Sequence, residues 1–148
     1  DLDVHQGDGT ASILENYKNI FTFSMHCKNN FPLKKMSSDL DVSLEKGMQD
    51  CEYLEILQKQ IEIIKKQNVD LIFFQAGVDI LSSDNLGYLK ISRAGVRKRN
   101  KIVLDFAKSK RVPLVIFMGG GYSKPIQYSV DSFVDLFTQC SKYTTNFT

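Results

Sequence analysis

The sequence predicts a three-layer α/β/α fold built on a mostly parallel sheet. Two observations carry that expectation. Residues 69–74 and 112–118 are short, nearly continuous apolar runs, the pattern of strands covered on both faces. Longer stretches with helical apolar spacing separate the strand candidates, and such alternation implies βαβ units. In these sheets ligands sit outside the carboxyl ends of the strands. Chemistry is therefore expected in the residues that follow each strand.

The elements follow in order. Asp1, Leu2, Asp3 and Val4 read as the end of a strand. They begin without an initiator Met and carry two carboxylates that need partners, so the chain is expected to be truncated at its N-terminus. Residues 20–25 are aromatic and β-branched, a second strand. Asp50 is placed to cap a helix reaching about Lys66, with Tyr53, Leu54, Leu57, Ile61 and Ile64 as its apolar stripe. Glu55–Lys59 and Glu62–Lys66 pairs at i,i+4 support it. After the 69–74 strand, a helix from about Ser92 to Lys110 lines up Val96, Val103, Phe106 and Ala107. The 112–118 strand is broken by Gly119-Gly120-Gly121. Pro125 suits the first turn of a last helix, whose stripe is Ile126, Val130, Phe133, Val134 and Phe137. Without repeats or linkers, residues 1–148 are expected to form one domain.

Composition excludes several function classes. Nineteen basic residues against 17 acidic ones leave a net charge of +2. The runs Lys34-Lys35, Lys65-Lys66 and Arg97-Lys98-Arg99 are scattered and read as solvated faces, so no direct nucleic-acid binding is expected. Three cysteines without a CxxC pair argue against a disulfide framework and for a reducing, cytoplasmic compartment. No apolar run approaches the ~20 residues of a membrane span. No feature sets an oligomeric state.

The strand ends are informative. Residues 1–4 run into His5-Gln6-Gly7-Asp8-Gly9, 69–74 into Gln75-Ala76-Gly77-Val78-Asp79, and 112–118 into Gly119-Gly120-Gly121-Tyr122. On extended backbone, residues i and i+2 share a face, so Asp3 and His5 project side by side. With Asp79 they make an Asp-His-Asp set, and three N/O ligands with a fourth position left to water is a catalytic zinc pattern. Such an ion polarises a carbonyl and lowers the pKa of its water to about 7. Taken singly, each residue also fits a loop, a cap or a turn.

In combination, these segments resemble the histone deacetylase family. Residues 1–10 (Asp1-Leu2-Asp3-Val4-His5-Gln6-Gly7-Asp8-Gly9-Thr10) are similar to its metal-binding signature. Gln75-Ala76-Gly77-Val78-Asp79, with Asp84 beyond, is similar to its second ligand segment. Gly119-Gly120-Gly121-Tyr122 resembles its catalytic tyrosine motif, and Phe31-Pro32 the segment that walls the acyl-lysine tunnel. Gln6, where many members have a second histidine, points to the bacterial and class IV-like branch.

The resemblance implies an arginase/deacetylase-like fold and zinc-dependent hydrolysis of acetyl-lysine or a related acetylated amine. Asp3, His5 and Asp79 would hold Zn2+, although such a set also accepts Fe2+. Tyr122 would be catalytic, donating to the oxyanion, and Phe31 and Gly120 would line the substrate tunnel. Asp1 and Asp8 match acidic residues that orient the family's paired histidines. Asp1, Asp3, His5, Ser24 and Met25 match a structural site for a monovalent cation such as K+. Asp84 receives no firm role. The tandem catalytic histidines are missing, since His5 and His26 occupy other positions, so the chain by itself is expected to be impaired. Three alternatives stay open: a non-catalytic remnant or metal-binding module, an acetylpolyamine amidohydrolase, and an α/β domain without metal.

Overall fold

The computed structural model describes residues 1–144. Helix α1 (Asp8–Leu14) precedes strands β1 (Phe23–Cys27) and β2 (Leu40–Leu44). Helix α2 (Asp50–Ile64), strand β3 (Ile72–Gln75) and helix α3 (Arg93–Lys110) follow, then strand β4 (Leu114–Phe117) and helix α4 (Gln127–Thr144). β1 pairs with β2 and β3 with β4, both in parallel, with Phe23 opposite Leu40 and Ile72 opposite Leu114. The α/β class with parallel strands is the one the sequence predicts. No helix among the described residues is long and apolar enough to cross a membrane. Cys27, Cys51 and Cys140 form no disulfide among the described residues.

Residues 1–4 lie between the two strand pairs and join them. Leu2 N–H donates to Gln75 O at 3.1 Å, while the N–H groups of Met25 and Cys27 donate to the carbonyls of Asp1 and Val4, each at 3.0 Å. The result is one hydrogen-bonded layer in the order β2, β1, 1–4, β3, β4. A bend at residues 3–5 denies the first segment regular strand geometry. The side-by-side placement of Asp3 and His5 therefore comes from a turn, in which His5 N–H donates to Asp3 Oδ1 at 3.0 Å, rather than from extended alternation.

α2 and α4 both pack against α3. Tyr53, Leu57, Ile61 and Ile64 of α2 share one buried core with Val96, Val103 and Phe106 of α3 and with Phe74, Val78 and Ile80. Each side chain buried this way contributes roughly 1.5–3 kcal/mol. Ser92 caps α3, its side chain accepting from Gly95 N–H at 3.0 Å.

Several elements depart from the sequence reading. α1 and β2 were not anticipated, although Leu40-Asp41-Val42-Ser43-Leu44 has the period-two alternation of a half-buried strand. β1 begins at Phe23 rather than residue 20 because its partner β2 sets the register. Asp50 does not cap its own helix, which Gln49 precedes. Its carboxylate instead accepts from Ser92 N–H at 2.7 Å and from the Ser92 hydroxyl, tying α2 to the start of α3. Glu62 pairs with Lys65 at i,i+3, not with Lys66.

Two faces differ from expectation more deeply. β3 and β4 are not covered on both sides: Phe73 is 61% exposed and stacks on the exposed Phe117 with ring centroids 6.0 Å apart. Those two rings help line a cavity of about 1330 Å³ that extends to Ile20, Phe21 and Leu71. On α4 the buried residues are Ser129, Ser132, Phe133 and Leu136, while Val130, Val134 and Phe137 stay exposed, as does Ile126 just before the helix. Small serines let the helix approach the glycine loop: a Cβ on Gly121 would meet Ser129 Cβ and Phe133 Cε2, each at 3.3 Å. Of the predicted stripe Phe133 alone is buried, and the inward face joins it to Leu136 and to serines small enough for close approach.

Candidate metal centre

The three strand tails converge as the sequence predicts. Nδ1 of His5 lies 3.1 Å from Asp3 Oδ1 and 3.1 Å from Asp79 Oδ2. One ligand atom from each of Asp3, His5 and Asp79 falls within 4.8 Å of the others. Backbone donors aim the carboxylates. Val4 N–H donates to Asp79 Oδ1 and Gly120 N–H to Asp3 Oδ2, both at 2.9 Å.

Glycines make that approach possible. A Cβ on Gly77 would stand 2.1 Å from Asp3 Oδ2, and one on Gly120 would stand 2.1 Å from Asp79 Oδ2. Neither separation is compatible with a side chain. Val78 N–H closes the seam by donating to Gly120 O at 2.6 Å.

The electrostatics are those of a site built for positive charge. Hydrogen bonds to Asp3 and Asp79 push the His5 imidazole up to about 10. Burial works to raise Asp3, but its bonds with His5 and Gly120 prevail and hold it down at about 2. Burial pushes Asp79 up to about 6. Both carboxylates face the same ring nitrogen, His5 Nδ1. Two carboxylate oxygens and one imidazole nitrogen, converging on one point, suit a divalent ion of zinc type. The residues fit the group.

Tyr122 is 49% exposed, and its main chain is held firmly. Its N–H donates to Asp84 Oδ2 at 2.6 Å, and Asn85 Nδ2 donates to its carbonyl at 3.1 Å. Asp84 Oδ1 also accepts from Leu86 N–H and Gly87 N–H, at 2.8 and 2.9 Å. Asp84 thus pins the loop after Asp79 to the loop that carries Tyr122. Phe31 is 68% exposed, and the buried Asn30 beside it fixes its loop. Asn30 Nδ2 donates to Leu86 O at 2.7 Å, and Asn30 Oδ1 accepts from Tyr88 N–H at 3.0 Å.

The remaining candidates sit around the base of the crevice. Asp1 Oδ1 accepts from Asp3 N–H at 3.0 Å, and Asp1 O from Met25 N–H. Ser24 Oγ lies 2.9 Å from His26 Nδ1 and accepts from Gly7 N–H at 3.4 Å. Asp8 opens α1 and stands apart from the Asp3–His5–Asp79 cluster. Gln6 is buried, donating to Met36 O and Asp41 Oδ1 and accepting from Met36 N–H, so it works as a pin between loops.

Sequence reasoning missed Arg99. The Arg97-Lys98-Arg99 run was expected to be solvated, yet Arg99 is 0% exposed. The signal was present: residue 99 falls three after Val96 and four before Val103, on the buried face of α3.

Comparisons with known proteins show the family of the chain. The histone deacetylase domain profile matches residues 1–137. The chain is 45% identical over 127 residues to an uncharacterized protein of Picosynechococcus, covering 85% of the chain and 42% of that relative. It is 34% identical over 128 residues to histone deacetylase 2 of Arabidopsis thaliana, covering 84% and 33%. Two crystal structures share its fold at a TM-score of 0.81 and 24% identity, covering 96% of the chain and 40% of theirs. One is an HDAC homolog from Aquifex aeolicus, the other an HDAC homolog complexed with SAHA. The chain belongs to the histone deacetylase family and has the arginase/deacetylase fold. It spans less than half the length of these relatives.

Proposed function

We propose that this chain carries the cation-holding part of a zinc-dependent deacetylase site that hydrolyses acetyl-lysine or a related acetylated amine. The observation that carries this reading is the convergence of Asp3, His5 and Asp79 within 4.8 Å. Zn2+ held there, or Fe2+ in its place, would polarise the amide carbonyl and supply an activated water. The protein's own residues do the rest. Backbone bonds from Val4 and Gly120 keep the carboxylates aimed, so no reorganisation is needed as charge develops. Tyr122 donates its hydroxyl to the forming oxyanion, a contact worth roughly 3–4 kcal/mol. Asp84 holds the Tyr122 backbone in register with the Asp79 loop. Phe31 and Gly120 wall the path of the acyl chain. Asp1, Asp3, His5, Ser24 and Met25 would hold a structural monovalent cation such as K+, with Asp1 and Asp8 supporting the network. Residues 1–148 act as one domain.

Proton transfer is the weak point. The sequence holds two histidines. His5 is committed to the carboxylates, and His26 is buried with Nδ1 against Ser24. General acid–base help is worth typically 10²–10⁴-fold, so turnover by this chain alone is expected to be low by that factor. The same observation supports a narrower reading, a metal-binding module without turnover.

Calorimetric zinc titration followed by hydrolysis of an acetyl-lysine peptide tests both. His5→Ala should abolish zinc binding and hydrolysis together. Tyr122→Phe should leave zinc binding intact and cut turnover by about 10²–10³. Equal turnover by Tyr122→Phe and the parent, in an N-terminally extended polypeptide, would remove the assigned role. Zinc binding without turnover in both lengths would favour the module.

A further inference from the structure

Arg99 lies in the middle of α3 with no part of its side chain exposed. A guanidinium has five N–H donors, no acceptor, and a charge it does not give up. Burying one costs several kcal/mol unless its donors are satisfied. None of the described carboxylates bonds to it; what it meets instead is backbone. Nη1 donates to Leu2 O at 3.2 Å and to Gly77 O at 2.6 Å, and Nη2 donates to Ala76 O at 3.1 Å. Nε and Nη2 also share Asn100 Oδ1, at 3.0 and 2.8 Å, which fixes the rotation of the fork. The guanidinium carbon stands 5.5 Å from the centre of the Phe74 ring.

The three carbonyls belong to the two segments that carry the Asp ligands. Leu2 immediately precedes Asp3, and Gly77 is two residues before Asp79. The main-chain bond between these segments is Leu2 N–H to Gln75 O. Past that point the first segment bends, and Arg99 bonds to the carbonyls on both sides of the gap.

We propose that Arg99 is a positioning residue for the cation site, its fork setting the separation of Asp3 and Asp79 and so the affinity for a divalent ion. The proposal rests on reading Asp3, His5 and Asp79 as metal ligands. Two effects of Arg99 oppose one another, which makes the test sharp. A fixed positive charge behind the carboxylates repels an incoming cation, so charge alone predicts tighter metal binding when Arg99 is removed. Geometry predicts weaker binding. Groups that orient metal ligands typically change affinity 10–100-fold when lost, and the fork touches both ligand-bearing segments, so geometry should prevail.

The experiment titrates the chain with Co2+, reading its visible absorption for coordination geometry, and with Zn2+ by competition. Parent, Arg99→Lys, Arg99→Met and Asn100→Ala are compared, with far-UV circular dichroism reporting folding. Arg99→Lys keeps the charge and loses the fork. It should bind about 10–100-fold more weakly with an altered absorption band, and Arg99→Met should do the same. Asn100→Ala, which frees the guanidinium to rotate, should fall between these variants and the parent. Folded Arg99 variants that bind Co2+ as tightly as the parent, or more tightly, would overturn the proposal while leaving the metal reading intact. Loss of folding in all three would make Arg99 a core residue and overturn it too. A folded parent that binds neither Co2+ nor Zn2+ would sink the metal reading, and this inference with it.

Discussion

The two sides of β3 behave as if they belonged to different proteins. Phe74 points inward, 2% exposed, beneath the Arg99 guanidinium and within the packed core. Phe73, one residue earlier, points the other way onto an open apolar cavity. The inner face and the crevice at the strand ends are over-determined, with each carboxylate held by backbone donors and each close approach allowed by a glycine. The outer face holds large apolar groups with little against them. The crevice geometry is therefore held by bonds within this chain in a way that its outer face is not. A few backbone donors and glycines are enough to aim two carboxylates, whereas a sheet face needs a whole layer of chain to cover it.

The largest expected effect tests the inner side. Phe74→Ala removes a ring from a closed core and leaves a cavity beneath Arg99, so it should destabilise the chain by about 3–5 kcal/mol. Urea unfolding with and without zinc measures it. A cost below about 1 kcal/mol would mean that the two faces of β3 are less different than their burial suggests.

The second test concerns the crevice and needs no mutation. The His5 imidazole is raised to about 10 by its carboxylate partners, above its ordinary value of 6.5. A group raised on folding contributes stability that is complete below its unfolded pKa and is lost as pH climbs through the folded value. Asp79, raised by burial to about 6, acts in the same direction at lower pH. Asp3, held at about 2, loses its contribution only in strong acid. With a chelator present, the melting temperature should fall between pH 6.5 and 10, and His5→Gln should flatten that part of the profile. Saturating zinc should reverse the trend, because the ion and the proton compete for the same nitrogen. A melting temperature that rises with pH in chelator would contradict the upward shift of His5 by its carboxylate partners.

Much of the crevice was legible in the sequence because strand–tail motifs report positions near one another in space. Asp3, His5, Asp79 and the glycine loop were found that way, and the fold places them together. What escaped notice depends on packing that no local pattern states. Arg99 looked like part of a charged run, although its helical phase places it on the core side. Asn30 is a common loop residue whose importance lies in a bond to a loop far along the chain, and the motif that includes Asp84 does not reveal its bond to the Tyr122 loop. On α4 the apolar spacing places Phe133 correctly, but Ser129 shares its approach to the glycine loop, and no apolar pattern marks a serine as buried. β2 alternates over only five residues, too short a run for its period to separate a strand from a loop.

The smallest expected effect falls on the outer side. Phe73 is 61% exposed and its main contact is the stacked ring of Phe117, so Phe73→Ala should cost no more than about 1.5 kcal/mol, the upper value of an aromatic pair. Metal affinity should not change, because Phe73 touches neither ligand-bearing loop. The informative quantity is the difference between neighbours on one strand: at least about 1.5 kcal/mol less for Phe73→Ala than for Phe74→Ala. Equal costs at the two positions would mean that the outer face is covered in solution, and the contrast between its two sides would disappear. A stability gain for Phe73→Ser would sharpen it, since replacing an exposed ring with a hydroxyl removes an unfavourable contact with water while forfeiting almost no packing.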